Sequence, residues 1–92
     1  MAYYTVTVEA CSLEPGKMGD TLETVFTSRH RSPAEAGRLL ASIIANRTSF
    51  ARSVRRSVHA GRDGAVAGRY IVVTPEGHRL TLRQLRDSLI KA

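Results

Sequence analysis

Two stretches near the N-terminus alternate apolar and polar residues. Residues 3–10 carry apolar side chains at every second position, namely at Tyr4, Val6, Val8 and Ala10. A period of two over this length is typical of a strand with one buried face. Residues 21–28 are again rich in β-branched and aromatic side chains, and turn-forming residues fill positions 14–20 between the two stretches. The pattern therefore predicts an antiparallel hairpin.

The spacing of apolar residues becomes helical after the hairpin. Ser32 is a good N-cap, Pro33 suits the first helical position, and Glu35 completes a capping box. We expect a helix that ends near Asn46 and buries one stripe of its surface. The apolar residues of that stripe are Ala36, Leu39, Leu40, Ile43 and Ile44.

A second helical segment follows directly. Thr48 or Ser49 can cap a helix that runs to about Ala60 and stops at Gly61. Its apolar positions stay nearly in phase with those of the first helix. One long helix over residues 33–60, kinked in its middle, is therefore an alternative to two separate helices.

The last third of the chain predicts a strand and a helix. Residues 66–74 contain the uninterrupted apolar run YIVV, which favours a central strand covered on both faces. After a turn at residues 75–78, Thr81 and Gln84 can form a capping box at the start of a final helix. The apolar stripe of this helix consists of Leu82, Leu85, Leu89 and Ile90.

These elements predict the order β-β-α-α-β-α in a single domain spanning residues 1–92. The fold class is α+β with two layers, a three-stranded antiparallel sheet covered by two to three helices. A chain of 92 residues is long enough for one domain, and its apolar content of 42% is ordinary for a globular protein.

The positive charge of the chain indicates a binding function, because it is concentrated in one region. The net charge is +6, and all but two of the 14 basic residues are arginines. Residues 29–62 hold eight arginines and a single acidic residue, Glu35. Arginine pairs bidentately with phosphate or carboxylate, so this region is predicted to bind an acidic partner.

The second predicted helix orders this charge into a stripe. At about 100° per residue, Phe50, Val54 and Val58 share one face, and the opposite face is basic. The basic face consists of Arg52, Arg55, Arg56 and His59. With no acidic residue on the helix, repulsion between these arginines must be offset by a partner elsewhere.

We assign the candidate binding surface to this stripe and to basic residues around it. The flanking residues are Arg47 and Arg62, and a further cluster consists of Arg29, Arg31 and Arg38. Phosphate groups of nucleic acid fit such a surface. Two alternatives are a merely solvated face, or ion pairs with the hairpin carboxylates Glu9, Glu14, Asp20 and Glu23 within the fold.

The sequence offers little support for a catalytic function. The three histidines are far apart in the sequence, and no spacing typical of a metal site, a nucleophile elbow or a phosphate loop occurs. We therefore expect no catalytic residue, no metal and no cofactor, and we interpret Cys11 as a structural thiol. The start of the chain lacks a secretion signal and no apolar run reaches membrane-spanning length, so we expect a cytoplasmic protein without a membrane partner.

A resemblance in size, architecture and charge supports the interpretation as a binding protein. A basic α+β chain of under 100 residues with one charged surface and no active site is similar to the small phage-encoded anti-CRISPR inhibitors. That resemblance implies a protein that blocks a guide-RNA complex by occupying its nucleic-acid-binding surface. These inhibitors share no common motif, so no residue role carries over.

Taken with the charge, the sequence predicts a non-enzymatic protein that binds nucleic acid or a ribonucleoprotein complex through its arginine-rich helix. The alternative function is a phage-type inhibitor of a host defence complex, or another interaction module that docks on an acidic protein surface.

Overall fold

The computed structural model describes residues 2–91 and confirms an α+β architecture. Its strands are β1 (Tyr4–Ser12), β2 (Thr21–His30), β3 (Val66–Val73) and β4 (Arg79–Leu80). Its helices are α1 (Pro33–Ala45), α2 (Ser49–His59) and α3 (Leu82–Lys91). No helix within the described residues is both long and apolar enough to cross a membrane.

Within residues 2–91, the sheet has four antiparallel strands in the order β2-β1-β3-β4, so the prediction of three strands was wrong. The missed strand, β4, is only two residues long and cannot display a period of two. It forms because a tight turn after β3 reverses the chain, with Thr74 and His78 joined by a backbone hydrogen bond of 2.9 Å. Gly77 takes the left-handed conformation that this turn requires, at φ 91°.

The predicted half-buried strand is in fact buried on both faces, because β1 lies at the centre of the sheet between β2 and β3. Val6, Val8 and Ala10 face the helices. The other face carries Thr7 and Glu9, which neighbouring strands shield from solvent. The strand predicted to be central, β3, is also internal, but β4 covers only its last two residues.

The two middle helices are separate, which rules out the single kinked helix. Ser32 caps α1 by accepting a hydrogen bond from the Glu35 amide at 3.2 Å. Asn46 ends α1 in the left-handed conformation at φ 57°, which breaks the helical path. Thr48 then caps α2 by accepting from the Ala51 amide at 3.0 Å.

One hydrophobic core lies between the helices and the inner face of the sheet. Its largest fully buried side chains include Leu40 and Ile43 of α1, Val58 of α2 and Leu85 of α3. The helical stripes are narrower than predicted. The predicted core residues Ile44, Phe50, Leu89 and Ile90 are exposed. Each helix is short, so only the positions facing the sheet or another helix become buried.

Candidate functional site

The second helix is amphipathic, as its sequence predicts. Val54 and Val58 are buried, and Arg52 and Arg56 are exposed on the opposite side. Arg55 is half-buried, at the boundary between the two faces. The buried face includes the fully buried Ala51 in place of Phe50, which rotates its centre by about 30° around the helix axis.

Phe50 is the predicted stripe residue that moved out of the core. Its ring packs edge-to-face against Phe26 of β2, with the ring centroids 5.4 Å apart and the planes at 74°. This contact holds the first turn of α2 against the edge strand of the sheet. The Thr48 cap and the Phe26–Phe50 contact together fix the orientation of α2. They therefore also fix the direction in which its arginines point.

The arginines of α2 border an open depression of about 340 Å³ between α2 and the sheet. We call it the arginine cleft. It is lined by Asn46, Arg52, Arg55, Arg56, His59 and Tyr70. The cleft thus brings together the four basic residues that the helical spacing of α2 placed on one face.

Arg55 and Tyr70 form the best-fixed part of the arginine cleft. The guanidinium of Arg55 lies over the Tyr70 ring, 5.2 Å from its centroid, in a cation–π contact. Its Nη1 donates to the carbonyl of Ile44 at 3.5 Å. Because Arg55 is half-buried and held on two sides, it keeps fewer rotamers than a solvated arginine would.

Tyr70 reaches the arginine cleft because of the sheet register. It pairs with Val8 of β1, whose side chain faces the helices, so Tyr70 faces α2 as well. Its phenol lies along its own strand above Gly68, where an added Cβ would collide with the phenol oxygen. Glycine at that position therefore allows the ring to lie flat beside the helix.

No carboxylate from the part of the chain that the structure describes lines the arginine cleft. Within the described part of the chain, Arg52, Arg55 and Arg56 form no ion pair, whereas Arg62 does. Three guanidinium charges are thus gathered at one surface without internal compensation, which raises the local positive potential.

Arg62, in contrast, forms an ion pair within the fold. Its guanidinium forms an ion pair with Glu23 of the hairpin, and its Nε donates to the carbonyl of Val58 at 2.8 Å. Only 15% of its side chain is exposed. Arg62 flanks the basic stripe in the sequence, but it is paired inside the fold, as the alternative of hairpin pairing predicts.

The remaining predicted site residues lie apart from the arginine cleft. Arg47 is exposed in the connection between α1 and α2, and Arg31 is exposed between β2 and α1. Arg29 lies over the Tyr3 ring, 5.4 Å from its centroid. Arg38 lines a separate groove of about 270 Å³ between α1 and α3, together with Arg86.

Sequence reasoning missed two residues of the arginine cleft, Asn46 and Tyr70. Tyr70 belongs to the apolar run of β3, and nothing in that run distinguishes it from a core residue. Asn46 was noted only as the end of a helix. The one sequence feature that could have indicated them is shared: each has a polar group and lies at the end of an apolar segment.

Cys11 and His30 both lie outside the arginine cleft. Cys11 is buried, as a structural thiol should be. His30 is engaged with Ser28, with Nε2 and Oγ 2.9 Å apart. Among residues 2–91, no three side chains of the metal-binding types converge on one point. Comparisons with protein-family models, with curated proteins and with solved structures find no match for this chain.

Proposed function

We propose that this protein is a non-enzymatic binder of nucleic acid, free or within a ribonucleoprotein complex, and that the arginine cleft contacts the phosphates. One observation carries the proposal. Arg52, Arg55 and Arg56 converge on a single open cleft, and no carboxylate of residues 2–91 lines it. A folded domain that keeps like charges this close loses stability by their repulsion, so an external anion is the natural counterpart.

The type and spacing of the cations favour phosphate. Guanidinium groups bind phosphate oxygens in a bidentate geometry, which adds direction to the charge attraction. Arg52 and Arg56 are one helical turn apart, or about 6 Å along the axis. That separation lets the two side chains engage successive phosphates of one strand, with Arg55 between them.

The experiment is a titration of the protein with labelled single- and double-stranded DNA and RNA at several salt concentrations. Each phosphate contact contributes about −0.9 to the slope of log affinity against log salt for duplexes, and about −0.7 for single strands. Two phosphate contacts from Arg52 and Arg56, or three with Arg55, predict a slope between about −1.4 and −2.7. Replacing Arg52 and Arg56 together with alanine should flatten this slope by about 1.4 to 1.8.

The matched control replaces Arg83 and Arg86 with alanine. Both side chains are exposed on α3, and neither lines the arginine cleft. The control removes the same net charge, so it separates a specific surface from a general attraction to a basic protein. Equal weakening by the two double variants would contradict the proposed site.

A lack of binding to every form of nucleic acid at low salt would overturn the proposal. The interaction of the cleft with an acidic protein surface, as in an inhibitor of a host complex, would then be the better explanation. In that case, the Arg52 and Arg56 double variant should lose one protein partner while naked nucleic acid is unaffected.

A further inference from the structure

The arginine cleft has features that a contact with a regular duplex would not use. A duplex presents a convex phosphate backbone and keeps its base faces inside the stack. Exposed arginines on a helix are sufficient to contact such a backbone. The concave shape, the Tyr70 ring and the exposed Asn46 amide would then have no role in binding.

We infer that the arginine cleft is specific for single-stranded nucleic acid, with one unstacked base placed on the Arg55–Tyr70 pair while Arg52 and Arg56 hold the flanking phosphates. This inference rests on the proposed function and narrows it to one class of ligand.

The size of the cleft agrees with this ligand. Its volume of about 340 Å³ falls at the lower end of the range for pockets that hold small molecules. A single base with its sugar is a ligand of that size. A base inside a duplex cannot enter the cleft without first leaving the stack, which costs free energy that a single strand does not have to supply.

The floor of the cleft supplies a stacking surface. Bases stack on aromatic rings and on arginine guanidinium planes, and this stacking tolerates any base because each has a π-face. Arg55 lies over Tyr70 and is held by the Ile44 carbonyl, so the planar group is positioned before a ligand arrives. A base that stacks on this guanidinium would extend an arrangement already present in the free protein.

The rim of the cleft offers a polar contact to the same base. Asn46 is exposed, and its left-handed backbone conformation turns it out of the helical path at the end of α1. A side-chain amide has both donors and an acceptor and can bond to the edge of a base. In a single strand that edge is free, whereas in a duplex it is paired.

The test compares a short oligouridylate of about ten nucleotides with a hairpin duplex of matched length, by fluorescence anisotropy. The wild-type protein should bind the single strand more tightly than the duplex. The variant Tyr70→Leu removes the ring but keeps an apolar side chain. It should weaken single-strand binding by about 5- to 150-fold, the range for one stacking contact, because the Arg55 guanidinium that holds the base loses the ring that positions it.

A second variant, Arg55→Lys, keeps the charge and removes the planar group. It should weaken single-strand binding while the salt slope stays near the wild-type value, because the number of phosphate contacts is unchanged. This variant changes a half-buried surface residue, so it preserves the test if Tyr70→Leu fails to fold. Tyr4→Leu is the matched control for loss of a tyrosine, since Tyr4 packs against the core outside the cleft.

The outcomes separate this inference from the proposed function. Equal affinity for the single strand and the duplex, with no effect of Tyr70→Leu or Arg55→Lys, would overturn single-strand specificity. If the Arg52 and Arg56 double variant still flattened the salt slope, phosphate binding itself would stand. Failure of the wild-type protein to bind either form would overturn both.

Discussion

Glu9 shows how a single charged residue is accommodated at the centre of this small sheet. Its side chain is only 7% exposed and lies on the face of β1 that the helices do not cover. Arg79 of β4 pairs with it, and Arg69 of β3 approaches it at 3.5 Å. Arg69 also donates to the carbonyl of Gly19 at 2.8 Å, which ties the hairpin loop to the same network. These arginines compensate a buried carboxylate, whereas Arg52, Arg55 and Arg56 pair with no carboxylate among residues 2–91.

The network predicts an asymmetry in stability. Replacing Arg69 and Arg79 with methionine leaves the Glu9 charge buried without a partner and should cost about 3–5 kcal/mol of unfolding free energy. Glu9→Gln should cost less, about 1–2 kcal/mol, because both arginines are partly exposed and can turn towards water. Urea denaturation at neutral pH measures both values. An equal loss in the two variants would mean that the carboxylate is not effectively buried.

The helix α3 shows why a periodic pattern overstates burial. The structure confirms its start, since Thr81 and Gln84 exchange hydrogen bonds of 2.9 and 3.2 Å in a capping box. Its contact with α1 is made where Leu85 packs near Gly37. Leu85 is 2% exposed, whereas Leu89, one turn further, is 41% exposed. The apolar stripe continues beyond the surface that covers it.

Two identical substitutions on α3 test this difference. Leu85→Ala should reduce the free energy of unfolding by about 2–5 kcal/mol, because it leaves a cavity in the core. Leu89→Ala should change it by less, about 1 kcal/mol, since this side chain is 41% exposed and lies outside the core cluster. Thermal or urea unfolding of the two variants gives the comparison. A large loss in Leu89→Ala would show that another surface covers the second half of α3.

At the scale of the whole molecule, one core joins the three helices to one face of the sheet. Buried residues of α1, α2 and α3 pack in a single cluster with Val6, Val8 and Val72 of the central strands. Leu40 lies in this cluster and is fully buried. Since the helices share one core, no helix is expected to remain folded when the others unfold.

The protein should therefore unfold in one cooperative transition. Far-UV circular dichroism and tyrosine fluorescence should give the same midpoint in urea. A chain of this length has a total stability of roughly 5–14 kcal/mol, so Leu40→Ala, at about 2–5 kcal/mol, should lower the midpoint strongly. Two separate transitions would indicate that α2 and its arginine cleft form an independent unit.

Local signals in the sequence determined most of the elements. The caps at Ser32, Thr48 and Thr81 were readable because each uses hydrogen bonds within three residues. The hairpin and the amphipathic character of α2 were readable because a side chain's direction on its own element depends only on the period of that element.

What the sequence alone did not determine are the relations between elements. Only in the folded chain does Arg62 pair with Glu23, 39 positions away. Only there does Arg55 lie over the Tyr70 ring. Only the strand order places β1 at the centre and adds β4 at the edge. Periodicity states which way a side chain points, but not which partner lies there. That second fact depends on packing across the whole molecule, and it is packing that turned a basic helix face into a cleft with an aromatic floor.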